Sequence, residues 1–115
     1  MEKGKKFYKY RLGLGLLQWI ANNKDIAAKN KEAGRNLVKS LRGLESGSGI
    51  SYTIIQGISK GQRSPEYTTL ETIAEALNTK LSVFIAYCEA IPDAEVLKAI
   101  EKDNKSKSKK QSDKK

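Results

Sequence analysis

An all-α domain is what these 115 residues predict, and three observations carry the prediction. No segment alternates apolar and polar residues for long enough to make a half-buried strand. Apolar side chains recur instead at helical spacing, as in Leu70, Ile73, Ala74 and Leu77, which line one face of a helix. Serine or threonine stands ahead of several such stripes and glycine or asparagine behind them, where helices start and stop. A chain of this length makes one domain with a modest core and needs no disulfide or metal.

The first helix is expected at Leu12–Asn22, where Leu12, Leu16, Leu17, Trp19 and Ile20 keep helical spacing and Asn22-Asn23-Lys24-Asp25 reads as a stop. Residues 26–39 are ambiguous between a helix Ala28–Lys39 and an insertion, and the apolar bulk of Leu12–Ile20 favours the insertion. Ser40 then caps a short helix to Ser48 carrying Leu41 and Leu44, weakened by Gly43 and Gly47. After Gly49-Ile50, Ser51 caps the next helix, to Lys60, with Ile55 and Ile58 turned inward and Gly61 as its end. Pro65 delays the following helix, for which Thr68 and Glu71 form a capping box and Asn78 a stop. Ser82 opens a fifth helix with Phe84, Ile85 and Tyr87, and a further one begins near Asp93 with Val96, Leu97 and Ile100.

Net charge is +9, and its distribution is more informative than its sum. Residues 1–11 are +4 and read as a basic N-terminal arm; residues 101–115 are +4 and read as a disordered Lys-rich tail. Between them the folded part, 12–100, is polarised: residues 39–63 are +3, whereas 64–100 are −4. A basic face points to a polyanionic partner.

Histidine is absent, which removes the commonest general base, the commonest metal ligand and the usual partner of a serine or cysteine nucleophile. No catalytic cluster stands in its place, so the expectation is a binding protein and not an enzyme, with no metal and no cofactor. The glycines at 13 and 15 and at 43–49 lack nucleotide-binding spacing, and no Gly-Lys-Ser/Thr occurs. The single Cys88 cannot form an internal bridge and is expected to be a small apolar packer in a reducing, cytoplasmic setting. The basic start followed by LGLGLLQWIA imitates a secretion signal, but no small-residue cleavage site follows and the run is too short for a membrane span.

Two short helices joined by a tight turn, 40–48 and 51–60, make a helix-turn-helix. The run SLRGLESGSGISYTIIQGISKGQRSPEYTTLETIAEALN resembles the phage repressor/Cro-like (Xre-type) DNA-binding domain, over about residues 40–87. The resemblance rests on the turn Ser48-Gly49-Ile50-Ser51, the helix end Ile58-Ser59-Lys60-Gly61, Pro65, Thr69-Leu70 and Ile73-Ala74-Glu75-Ala76-Leu77. It departs at Glu45, where such domains usually have a small residue, at Ser59, where an acid is usual, and in the extra residues 27–39. What it implies is a compact five-helix bundle of the phage-repressor type, with an insertion before the helix-turn-helix (motif 40–61).

The resemblance also implies a sequence-specific, repressor-like regulator, a homodimer on double-stranded DNA, with helix 51–60 in the major groove. Ser51, as the cap, is followed by Tyr52, Thr53, Gln56 and Gly57 on the outward face, Gly57 allowing close approach. Lys60, Gln62 and Arg63, with free amides of the turn, are expected to meet phosphate, and Arg42 to reach the backbone from the preceding helix. The alternative is the DNA-binding antitoxin of a toxin–antitoxin pair, in which residues 88–115 would fold on a protein partner. No membrane partner is expected.

Overall fold

A computed structural model describes the backbone of residues 4–113 and the side chains of residues 4–105. Its described part is helical, without strands: α1 (Lys5–Lys29), α2 (Lys31–Gly34), α3 (Leu41–Ser48), α4 (Tyr52–Ser59), α5 (Tyr67–Ala76), α6 (Leu81–Glu89) and α7 (Asp93–Asp113). Seven helices therefore stand where five were expected, with a further one near Asp93. No described helix is long and apolar enough to cross a membrane.

The largest correction is α1, which extends the expected Leu12–Asn22 helix in both directions to 25 residues. Residues 5–11 are not an arm. Phe7 and Tyr10 are buried there with Ile91 and Val96, so the start of α1 has an apolar face of its own beneath its lysines. Asn22 and Asn23 do not stop the helix either, because their side chains are used in tertiary hydrogen bonds. The buried Asn23 side chain donates to the Val38 carbonyl at 2.9 Å, and Asn22 donates to the Tyr87 hydroxyl at 2.7 Å. The stop is Asn30, whose Oδ1 accepts the amides of Glu32 and Ala33 and so caps α2. The segment 27–39 thus divides: its first residues finish α1, four make α2, and Val38 enters the core.

Two apolar clusters share α1. The larger joins Leu16 and Ile20 to Val38, Leu44, Ile55, Ile58, Ile73, Leu77, Phe84 and Cys88, and the smaller seats α7 on the N-terminal half of α1. Gly13 and Gly15 allow α1 to lie this close to its neighbours. A Cβ at 13 would stand 2.6 Å from the Ile58 carbonyl oxygen, and one at 15 would strike the Cys88 sulfur. Cys88 is buried as expected, and burial pushes its thiol up to about 11, with Arg11 opposing the shift and Glu89 adding to it. Trp19 packs edge-on against Phe84 and Tyr87, with ring centroids 5.8 and 5.1 Å away.

Both α5 and α6 start earlier than expected. Glu66 occupies the N-cap of α5 without a side-chain cap, and the Thr68–Glu71 capping box does not form. Glu71 instead accepts the Tyr67 hydroxyl at 2.7 Å, and the Thr72 hydroxyl donates to the Thr68 carbonyl. Lys80, not Ser82, precedes α6. Asn78 does end α5 as expected, in the left-handed conformation at φ 60°.

Helix α7 continues past 100, where a disordered tail was expected. The Tyr10 hydroxyl donates to Asp103, Lys6 donates to Asn104 Oδ1 at 3.1 Å, and Lys105 pairs with Glu101 one turn away. The backbone helix runs on to Asp113. The remainder of the expected arm and tail, 1–3 and 114–115, lies outside the described residues.

Candidate nucleic-acid interface

Helices α3 and α4 are set by four local devices. Ser40 Oγ accepts the Gly43 amide at 2.9 Å and starts α3; Gly49, at φ 75°, turns the chain out of it. Ser51 Oγ then accepts the Ile54 amide at 3.4 Å as the cap of α4. A fourth device crosses between the helices: Glu45 Oε2 accepts the Tyr52 amide at 3.0 Å. This carboxylate stands at the N-terminal end of α4, where the helix dipole favours negative charge. Glu45 is one of the departures from the resembled pattern, and its place in the sequence suggested no function. The signal that could have found it is an acid in the second half of α3, unfavourable to its own helix and hence available to another.

Inward, α4 buries Ile55 and Ile58 almost completely. Outward, Thr53 and Lys60 are exposed and Tyr52 and Gln56 are half-buried. At 3.6 residues per turn these four positions fall within an arc of about 100°. Arg42 comes to the same place from α3: its guanidinium carbon lies 3.7 Å from the centre of the Tyr52 ring, and Nη1 lies 3.5 Å from Glu45 Oε1. The stack and the carboxylate hold Arg42 in one orientation, although so exposed an ion pair adds little stability by itself.

The turn after α4 corrects two expectations. Its amides are not free, since Lys60 and Gly61 donate to the carbonyls of Gln56 and Ile58, and Gln62 and Arg63 both donate to the Gly57 carbonyl. Gly57 is not an open point of approach, since it is buried beneath the Arg63 side chain. A Cβ at 57 would stand 2.8 Å from Arg63 Cδ. The glycine therefore provides the seat on which Arg63 crosses the end of the helix. Gly61, at φ 73°, completes the turn against the Tyr10 ring. Of the nine expected DNA contacts, Gly57 alone has its surface covered. Arg42, Ser51, Thr53, Lys60, Gln62 and Arg63 are exposed, and Tyr52 and Gln56 are partly so.

Residues 88–105, the described part of the segment that the antitoxin reading reserves for a protein partner, are already seated on α1 through Ile91 and Val96. Compared with protein-family models, curated proteins and solved structures, the chain matches none.

Proposed function

We propose that the protein is a sequence-specific DNA-binding regulator that acts as a homodimer on a two-fold symmetric operator. In this reading α3 and α4 form a helix-turn-helix of the phage repressor/Cro-like type, and α4 enters the major groove. One observation carries it: a capped, firmly packed α4 presents Thr53 and Gln56 outward from its first half and Lys60 and Arg63 beside its end. Short polar side chains over the groove with cations at its edge match the division between base contacts and phosphate contacts. Gln56 reads adenine through its amide, Thr53 bonds a base or touches a thymine methyl, and Arg42, Lys60, Gln62 and Arg63 hold phosphates. The antitoxin reading is less well supported, because residues 88–105 are packed within the chain.

Selection of duplexes from a random library at fixed, moderate salt tests the proposal. The expected product is an inverted repeat with half-sites about 10 bp apart or a multiple of that, bound at least about 1,000-fold more tightly than a scrambled duplex. Failure to enrich any sequence, together with no binding to duplex DNA at low salt, would replace it with a protein-interaction module.

A further inference from the structure

We propose that two copies of the chain pair through adjoining grooves of opposite charge on the side built by α1, α5 and α6. The first groove, of 380 Å³, has a floor that includes Leu12, Leu70 and Ile85 beneath Lys5, Lys9 and Arg11. The second, of 850 Å³, runs along α5 and α6 between Glu71, Glu75 and Glu89, with Lys80 at its edge. Ile85 and Glu89 line both grooves, so α6 is the ridge between them. Counting Glu89 on each side, the first groove has three bases to one acid and the second three acids to one base.

Equal and opposite neighbours of this kind suit a two-fold axis. A rotation about the ridge lays the basic groove of one protomer on the acidic groove of its partner, and the same contact is then made a second time. Each groove also displays an aromatic ring held by its own charged residues. Tyr8, 48% exposed, lies under the Arg11 guanidinium at 5.3 Å, and Tyr67, 68% exposed, donates to Glu71. Among the described residues Lys5, Lys9, Glu75 and Glu89 form no ion pair, so their charges are available to a partner. An anionic small molecule in the first groove would leave the acids of the second unanswered, whereas a second copy answers both. None of the residues assigned to DNA lines either groove, so α4 stays open in the pair.

This surface deepens the proposed dimer, and it is tested without DNA so that the two proposals can fail separately. Sedimentation velocity of the full chain across a range of concentration and salt measures the pairing. Two charge-reversed chains provide the decisive arm, one with Lys5→Glu and Lys9→Glu, the other with Glu71→Lys and Glu75→Lys, all at sites without buried side-chain roles. Each alone is expected to dimerise at least about tenfold more weakly, because like charges then face each other. Their equimolar mixture is expected to recover pairing within a few-fold of wild type, since both contacts in the mixed dimer regain opposite signs. A monomeric wild type, wild-type pairing indifferent to salt, a reversed chain that pairs as well as wild type, or a mixture that stays monomeric would each overturn the proposal.

Discussion

Glu45 on α3 accepts the backbone amide of Tyr52 at 3.0 Å, and the Tyr52 ring in turn carries the Arg42 guanidinium at 3.7 Å. Arg42 returns to Glu45 at 3.5 Å, closing a loop of three residues across the two helices. The loop fixes the angle between α3 and α4 by polar contacts at their exposed edge, while Leu44, Ile55 and Ile58 fix it from within. Orientation of α4 is what any groove-reading helix requires, so the loop couples local capping to the proposed function.

Glu45→Ala is expected to lower stability by about 0.5–2 kcal/mol, the usual cost of losing a carboxylate or hydroxyl cap. Glu45→Gln keeps an acceptor and should cost less. Urea melts of the two variants check the order; equal and negligible losses would mean that the Tyr52 amide is satisfied without the side chain. Both substitutions should also weaken DNA binding, through the freed Arg42 and the loosened first turn of α4.

Gly57→Ala should separate stability from binding. Alanine is about 1 kcal/mol better than glycine inside a helix, and the atoms in its way belong to the flexible Arg63 side chain and not to backbone. Stability is therefore expected to hold or rise slightly. DNA affinity should fall by a similar factor on specific and scrambled duplexes, because the displaced group is a proposed phosphate contact. A Gly57→Ala chain that binds DNA as well as wild type would remove Arg63 from the interface.

Gln56→Ala is expected to cost about 1–3 kcal/mol on the selected operator and much less on a scrambled duplex at the same salt, relaxing preference at one base pair per half-site. Lys60→Ala should weaken both duplexes alike and reduce the salt dependence of binding. Equal losses on both duplexes for Gln56→Ala would exclude it as a base reader.

Docking of α7 is expected to depend on pH through Tyr10. Burial first, and then the hydrogen bond to Asp103 and its negative charge, push the hydroxyl up to about 12 from an ordinary 10. The folded value is the higher one, so this contribution is fully present below pH 10 and is lost as pH rises through 12. The stability difference between wild type and Tyr10→Phe should be flat up to about pH 10 and shrink above it. Chemical denaturation at a series of alkaline pH values measures the difference; a difference that did not change above pH 10 would place no titrating role on Tyr10.

Helix class, the α3 and α4 spans and the inward Ile55 and Ile58 were legible in the chain itself, because they follow from local rules. Ser40 and Ser51 are hydrogen-bonding caps wherever they precede a helical stripe, Gly49 and Gly61 tolerate the left-handed backbone that ends a helix, and a 3.6-residue period separates the two faces of α4. Tertiary structure alone decided the rest. Asn22 and Asn23 resemble a stop until Tyr87 and Val38 give their side chains partners distant in sequence, and only then does α1 run to Lys29. Lysines 5, 6 and 9 look like an arm until Phe7 and Tyr10 find Ile91 and Val96. The Gly57 backbone looks open until the turn folds Arg63 over it, and Glu45 looks out of place until α4 brings the Tyr52 amide within reach. Each of these depends on a partner that sequence spacing does not reveal, because a side chain can satisfy its hydrogen bond or bury its surface equally well locally or at a distance, and packing of the whole chain selects between them.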